Sequence, residues 1–150
     1  MLYNFFTIIV ILVKEKGEKV MKSFDVGVFL FEDVEVLDFA GPFEVFSVTE
    51  FEQVQNRGIK PFQVTTFSEN GTTISARNGL KIQPDYSFQS APHFDIIIVP
   101  GGPGTLEQFE NKKVIQWIQE RMKTVQIMAS VCTGAFLLAQ AGLLAGKRAT

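Results

Sequence analysis

Short apolar runs rich in β-branched residues alternate along the chain with stretches of helical period. Val26-Gly27-Val28-Phe29-Leu30-Phe31 and Asp95-Ile96-Ile97-Ile98-Val99 are continuous apolar runs, as in strands buried on both faces of a parallel sheet. The pattern predicts strand Ser23–Phe31, helix Pro42–Val54, strand Phe62–Thr66 and a short hairpin around Gly71–Leu80. Strand Asp95–Val99, helix Leu106–Lys123, strand Val125–Val131 and helix Gly134–Ala141 come next. Pro42 suits a first helical position and Gly142 a helix end. Val114, Ile115, Ile118 and Met122 form one apolar stripe on the long helix, with Lys112, Lys113, Gln116 and Glu120 elsewhere. The last helix is apolar nearly all round, so burial is expected. Strands alternating with helices predict an α/β sandwich with a mostly parallel sheet.

Three strand-to-helix joints carry the candidate chemistry. The only cysteine, Cys132, sits where an apolar run ends and a Gly/Ala/Leu-rich helix begins. Helix N–H groups and the helix dipole favour a thiolate there, in a geometry resembling the nucleophile elbow of hydrolases. The alternative is a small buried hydrophobe. Asp95–Val99 stops at Pro100-Gly101-Gly102-Pro103-Gly104, a loop able to bring bare N–H groups close to a ligand. The first strand is followed by Glu32, Asp33, Glu35 and Asp38. In an open parallel sheet, ligands bind outside the carboxyl ends of the strands. If these three strands are neighbours, an acid, backbone donors and a thiol share one crevice.

Composition narrows this reading. The chain has 150 residues, 46% hydrophobic and 20% charged, enough for one globular domain with its own core. Fifteen phenylalanines against one tryptophan predict a largely aromatic core. A net charge of −2 without a basic stripe gives this segment no nucleic-acid signature. One cysteine excludes an internal disulfide and fits a reducing compartment. Cys-rich metal spacing is absent. His93 precedes a strand, at the end away from Pro100, and reads as structural or surface.

Residues 1–22 read as a leader outside the fold. Leu2 to Val13 is apolar, but shorter than the roughly 20 residues that span a bilayer. It lacks a basic n-region and a small-residue cleavage site. Lys14 to Lys19 can be encoded by a purine-rich ribosome-binding sequence ahead of Met21, so translation is expected to start there. Residues 23–150 read as one domain incomplete at its C-terminal end, because a strand opens at Arg148.

Val36-Leu37-Asp38-Phe39-Ala40-Gly41-Pro42-Phe43-Glu44-Val45-Phe46, the run Phe94 to Gly104, and Ser130-Val131-Cys132-Thr133-Gly134-Ala135 together resemble the DJ-1/PfpI superfamily, a class I glutamine amidotransferase-like group. The branch is that of isonitrile hydratases and of the amidase-like N-terminal domains of AraC-type regulators. The resemblance spans roughly Ser23 to Thr150. It implies a flavodoxin-like three-layer sandwich, usually a homodimer, and the reducing compartment that the single cysteine fits is expected to be the cytoplasm. It places Cys132 on the nucleophile, Asp38 on its acid partner, Thr133 on the following hydroxyl residue, and Gly102, with Gly101, on backbone N–H donors. A histidine that lies near the cysteine in several relatives would fall after Thr150, and His93 does not replace it. Without the resemblance, Asp38 reads as a turn residue, Thr133 as a helix cap, and Glu44 as a first-turn helix acid.

The function so implied is an isonitrile hydratase-like lyase acting on a small molecule, requiring no metal or organic cofactor. The alternatives are a ligand-sensing domain of an AraC-type regulator and a glyoxalase- or deglycase-like DJ-1 relative.

Overall fold

The computed structural model describes residues 9–13, 23–50 and 60–147. In chain order the elements are β1 (Ile9–Val13), β2 (Phe24–Phe29), α1 (Val36–Val48), β3 (Phe62–Ser68), β4 (Ile74–Ser75), β5 (Lys81–Ile82) and β6 (Tyr86–Ser87). Then come β7 (Ile96–Val99), α2 (Thr105–Glu110), α3 (Lys112–Met122), β8 (Ile127–Val131) and α4 (Gly134–Gln140), and a 3₁₀ turn at Arg77–Gly79 joins β4 to β5. The main sheet runs β1-β8-β7-β2-β3-β6. β8, β7, β2, β3 and β6 pair in parallel, so the expected α/β class holds. The condition set by the sequence is also met: β8, β7 and β2 are neighbours, so their carboxyl ends open on one crevice.

The β-branched runs form strands because both sheet faces are covered. Val26, Val28, Ile97 and Met128 are fully buried. The core is aromatic, as the phenylalanine count predicts. Phe67 stacks on Phe29 at 5.5 Å and Phe94 at 5.2 Å, and tilts against Trp117 at 4.8 Å. Phe88 stacks on Trp117 at 4.5 Å, and the Arg121 guanidinium lies 4.8 Å from the same indole. The helical stripe also holds, with Val114 and Ile118 buried on α3.

Several boundaries differ from the sequence expectation, for local physical reasons. α1 begins at Val36, so Pro42 lies inside it rather than at its first position. Pro42 has no N–H for the Asp38 carbonyl, and the helix carries that missing bond. The expected end of this helix, 51–54, lies outside the described residues. The long helix Leu106–Lys123 is two helices. Asn111 breaks it with extended backbone (φ −80°, ψ 100°), and its side chain accepts the Lys113 N–H at 3.1 Å, the use for which asparagine is suited. α4 is buried through Leu137 and Leu138, but Phe136 is 55% exposed. β6, two residues long, has too little pattern to be read from sequence.

The segment read as a leader contributes β1, which pairs antiparallel with β8 from Ile9 opposite Val131 to Val13 opposite Ile127. Met21 and the strand expected to open at Arg148 lie outside the described residues.

Candidate active site

The crevice is assembled by backbone bonds between loops distant in sequence. After β2 the chain is pinned to the β4–β5 hairpin: the Asp33 N–H donates to the Ser75 carbonyl at 2.9 Å, and the Arg77 N–H to the Val34 carbonyl at 2.9 Å. It is pinned to the glycine loop by the Glu35 N–H on the Gly101 carbonyl at 2.9 Å and the Gly104 N–H on the Asp33 carbonyl at 3.2 Å. Only small residues permit this approach. A Cβ on Gly101 would lie 2.6 Å from Thr133 N and 3.0 Å from Asp38 Oδ2. Gly102 has φ +131°, and a side chain there would meet the Glu35 amide nitrogen.

Asp38 lies in the first turn of α1, not in the turn before it. It is 7% exposed, and its Oδ2 accepts the Gly101 N–H at 3.2 Å. Its carboxyl group lines the same cleft as Cys132 and is near enough to the Cys132 thiol to be influenced by it. Burial pushes the Asp38 pKa above 3.8, opposed by the Gly101 N–H and the nearby Cys132 thiol, while the Glu35 charge adds to the rise. Cys132 is exposed and has φ +53°. A side chain in this left-handed region costs free energy unless its surroundings hold it there; here β8 ends at Val131 and α4 begins at Gly134. A left-handed turn between strand and helix therefore lies at the joint that the sequence singles out.

Thr133 precedes α4, but its side chain makes no capping bond. Its Oγ1 instead accepts the Gly102 N–H at 3.0 Å and lies 3.0 Å from Thr105 Oγ1. The Gly101 and Gly102 amides, expected to be bare donors, are thus already engaged, one by Asp38 and one by Thr133. The structure brings Cys132, Asp38, Thr133, Gly101 and Gly102 together. His93 is exposed, with Nε2 4.0 Å from Asp95 Oδ1, at the other end of β7.

A cleft of about 670 Å³ opens here. Glu35, Leu37, Asp38, Arg77, Thr105, Leu106, Cys132, Thr133 and Phe136 are among the residues that line it. Arg77, Thr105, Leu106 and Phe136 are not singled out by the sequence. Arg77 Nη1 donates to Glu35 at 2.7 Å, a pair forty-two positions apart that no local pattern reveals. Thr105, 2% exposed, has one signal: it is the hydroxyl residue directly after the glycine loop. Among the described residues, no group of three or more His, Cys, Asp or Glu is gathered for a metal.

Residues 25–150 match the DJ-1/PfpI family. The chain belongs to that family. It is 31% identical over 128 residues to an isonitrile hydratase of Pseudomonas putida, covering 85% of this chain and 52% of that protein. It therefore spans about half the length of this relative. It is 29% identical over 121 residues to the HTH-type transcriptional regulator GbdR of Pseudomonas aeruginosa, covering 81% of this chain and 32% of the regulator. The fold matches a ThiJ/PfpI family protein from Pseudomonas syringae with a TM-score of 0.70 at 22% identity, covering 82% of this chain and 48% of the other. Among the described residues, no helix is long and apolar enough to cross a membrane.

Proposed function

We propose that this protein hydrates an isonitrile, or a similar small electrophile, through a covalent adduct on Cys132. The observation that carries the reading is that the buried Asp38 carboxyl group and Cys132, held at a left-handed strand-to-helix joint, line the same cleft. In the first half-reaction the Cys132 thiolate adds to the terminal carbon of R–N≡C. A proton from Asp38 completes a thioimidate, R–N=CH–S–Cys132. In the second half-reaction Asp38, now a carboxylate, takes a proton from water as its oxygen adds to that carbon. The C–S bond then breaks, the nitrogen is protonated, and R–NH–CHO leaves with the thiolate restored. The sum is R–N≡C plus water giving the N-substituted formamide, so no oxidant, reductant or cofactor is consumed. A carboxyl group whose pKa is raised by burial suits this exchange, because the rise strengthens its hold on a proton that it must both give and recover.

Thr133 is assigned a positioning role. Its hydroxyl joins the glycine loop to the start of α4 and so fixes Cys132 relative to Asp38. Gly101 holds the Asp38 side chain and Gly102 the Thr133 side chain through their amides. They serve the adduct directly only if it displaces those bonds. The same reading has the protein acting on a diffusible small molecule in the cytoplasm as a homodimer. Val45 and Val48, exposed apolar residues on α1, support a second copy, and sedimentation of the purified chain tests it.

The deciding experiment is incubation with an alkyl isonitrile, following the formyl proton of the product by NMR. Formamide produced by the native protein and not by Cys132→Ser supports the reading; no formamide from a folded protein refutes it. A second reading, the ligand-sensing part of a transcription regulator, is favoured by the GbdR match over 81% of the chain. It predicts saturable ligand binding at this cleft without turnover, and a gene that continues into a helix-turn-helix domain.

A further inference from the structure

The cleft has a second half that the chemistry at Cys132 leaves unexplained. Leu37 and Leu106 are each 77% exposed, and Phe136 is 55% exposed. Single exposed apolar residues are ordinary, but three converging on one cavity from three helices are not. All three lie in the first turns of their helices. Leu37 is the chain neighbour of Asp38 on α1, Leu106 that of Thr105 on α2, and Phe136 lies three residues beyond Thr133 on α4. Each polar residue that builds the crevice thus brings a large apolar residue to its wall. A cavity near 670 Å³ has the size of a small-molecule site.

Charge in the cleft points the same way. Its titratable residues are Glu35, Asp38, Arg77 and Cys132. The one guanidinium is paired with Glu35 at 2.7 Å, so the rim offers a neutral pair rather than a free cation. A charged substituent would lose its hydration against the apolar wall without gaining an unpaired partner.

Building on the function proposed above, we propose that Leu37, Leu106 and Phe136 form the substituent-binding half of the site, and that the electrophile brought to Cys132 is uncharged and carries an aliphatic or aryl group. Selectivity then resides in this wall, while Cys132 and Asp38 act on the functional group common to all substrates.

The test uses the single cysteine as reporter. Rates of Cys132 alkylation by N-methyl and N-butyl iodoacetamide, and by iodoacetate, are each divided by the rate with glutathione. In the native chain the N-butyl reagent should react about tenfold faster than the N-methyl one, as expected for roughly half-burying three methylenes. Iodoacetate should lag both. Phe136→Ser and Leu106→Ser should each reduce the butyl-to-methyl ratio to about twofold or less, and Phe136→Leu should restore most of it. Leu80→Ser, an exposed apolar residue outside the cleft, should leave the ratio unchanged. A flat series in the native chain overturns the inference, as does a ratio that survives both serine substitutions. Iodoacetate outpacing the amides would overturn the uncharged class and make Arg77 the reader of a carboxylate. These outcomes leave the function proposal standing. Failure of every reagent to label folded protein, with labelling only on denaturation, overturns that proposal and this inference with it.

Discussion

Two buried aspartates, one at each end of the same three strands, do opposite things. Asp95, 1% exposed, sits at the amino ends of β2, β7 and β8. Its carboxylate accepts the Asp25 N–H at 3.0 Å and Gln126 Nε2 at 2.7 Å. Its backbone carbonyl accepts the N–H groups of Gln126 and Ile127 at 2.9 and 3.1 Å, and its own N–H donates to Asp25 at 2.8 Å. Both neighbouring strands are thereby clamped to β7. Asp38, 7% exposed, sits at the carboxyl ends of those strands. It accepts the Gly101 N–H at a longer 3.2 Å, and beside it lies the exposed Cys132. Near-equal burial thus gives a lock where donors from both neighbouring strands hold the carboxyl group, and a carboxyl group with a raised pKa where a single backbone N–H holds it. The difference lies in the neighbours each strand end supplies: packed strand starts around Asp95, and a glycine loop and a strained elbow around Asp38.

Substitutions should separate the two ends. The largest effect belongs to the reacting atom: Cys132→Ser should lower isonitrile turnover by about a thousandfold or more, with unfolding by urea nearly unchanged. Asp38→Asn should cost about a hundredfold in rate, read as initial velocity at saturating substrate, because shape is kept and the exchangeable proton is lost. The same substitution at Asp95 should act on stability. An amide there turns an N–H toward one of the donors that the carboxylate accepts. The expected loss is about 2 kcal/mol, seen as a melting temperature lower by roughly 4–8 °C, with turnover per folded molecule retained. If Asp95→Asn instead abolished turnover in stably folded protein, the contrast between the two aspartates would fail.

The pH dependence sharpens the same contrast. Asp38 has a folded pKa raised above 3.8, mainly by burial. Folding therefore favours its protonated form. The stability it contributes is fully present below 3.8 and is lost as pH rises through the raised value. Asp38→Asn removes this dependence. Native protein should lose stability relative to Asp38→Asn between about pH 4 and neutrality, measured by urea unfolding at both. A difference constant with pH would mean that burial does not disfavour the Asp38 charge.

How much the chain reveals before folding depends on the range of the forces involved. The strands β2, β3, β7 and β8, the glycine loop and the elbow are legible because each is written in neighbouring residues: β-branched runs, Pro100 to Gly104, and a cysteine between an apolar strand and a small-residue helix. The start of α1 is not, because Glu35 and Asp38 look like loop acids until the Glu35 N–H bond to Gly101 anchors the turn from across the sheet. The Arg77–Glu35 pair is illegible for the same reason. The engagement of the Gly101 and Gly102 amides is illegible too, since it depends on side chains that arrive from α1 and from the elbow. The break at Asn111 was within reach of local reading, since an asparagine amid helix formers competes for the backbone as a cap.

The smallest expected effect concerns the bond that joins the two sides of the crevice. Thr133 Oγ1 accepts the Gly102 N–H and touches Thr105 Oγ1, yet caps no helix amide. Thr133→Val keeps the shape and removes both interactions, leaving the Gly102 amide unpartnered in a partly buried loop. That should cost about 1–2 kcal/mol of stability. Turnover should fall by roughly tenfold through misplacement of Cys132 against Asp38. Thr133→Ser, which restores the oxygen without the methyl group, should recover most of both. If the hydroxyl only held the loop, turnover per folded molecule would be the same in all three proteins. If it acted on the adduct itself, valine would lower the rate far beyond tenfold while stability moved little. A tenfold loss that serine rescues, together with a shifted pH profile of Cys132 alkylation in the valine protein, identifies Thr133 as the residue that keeps thiol and carboxyl group in register.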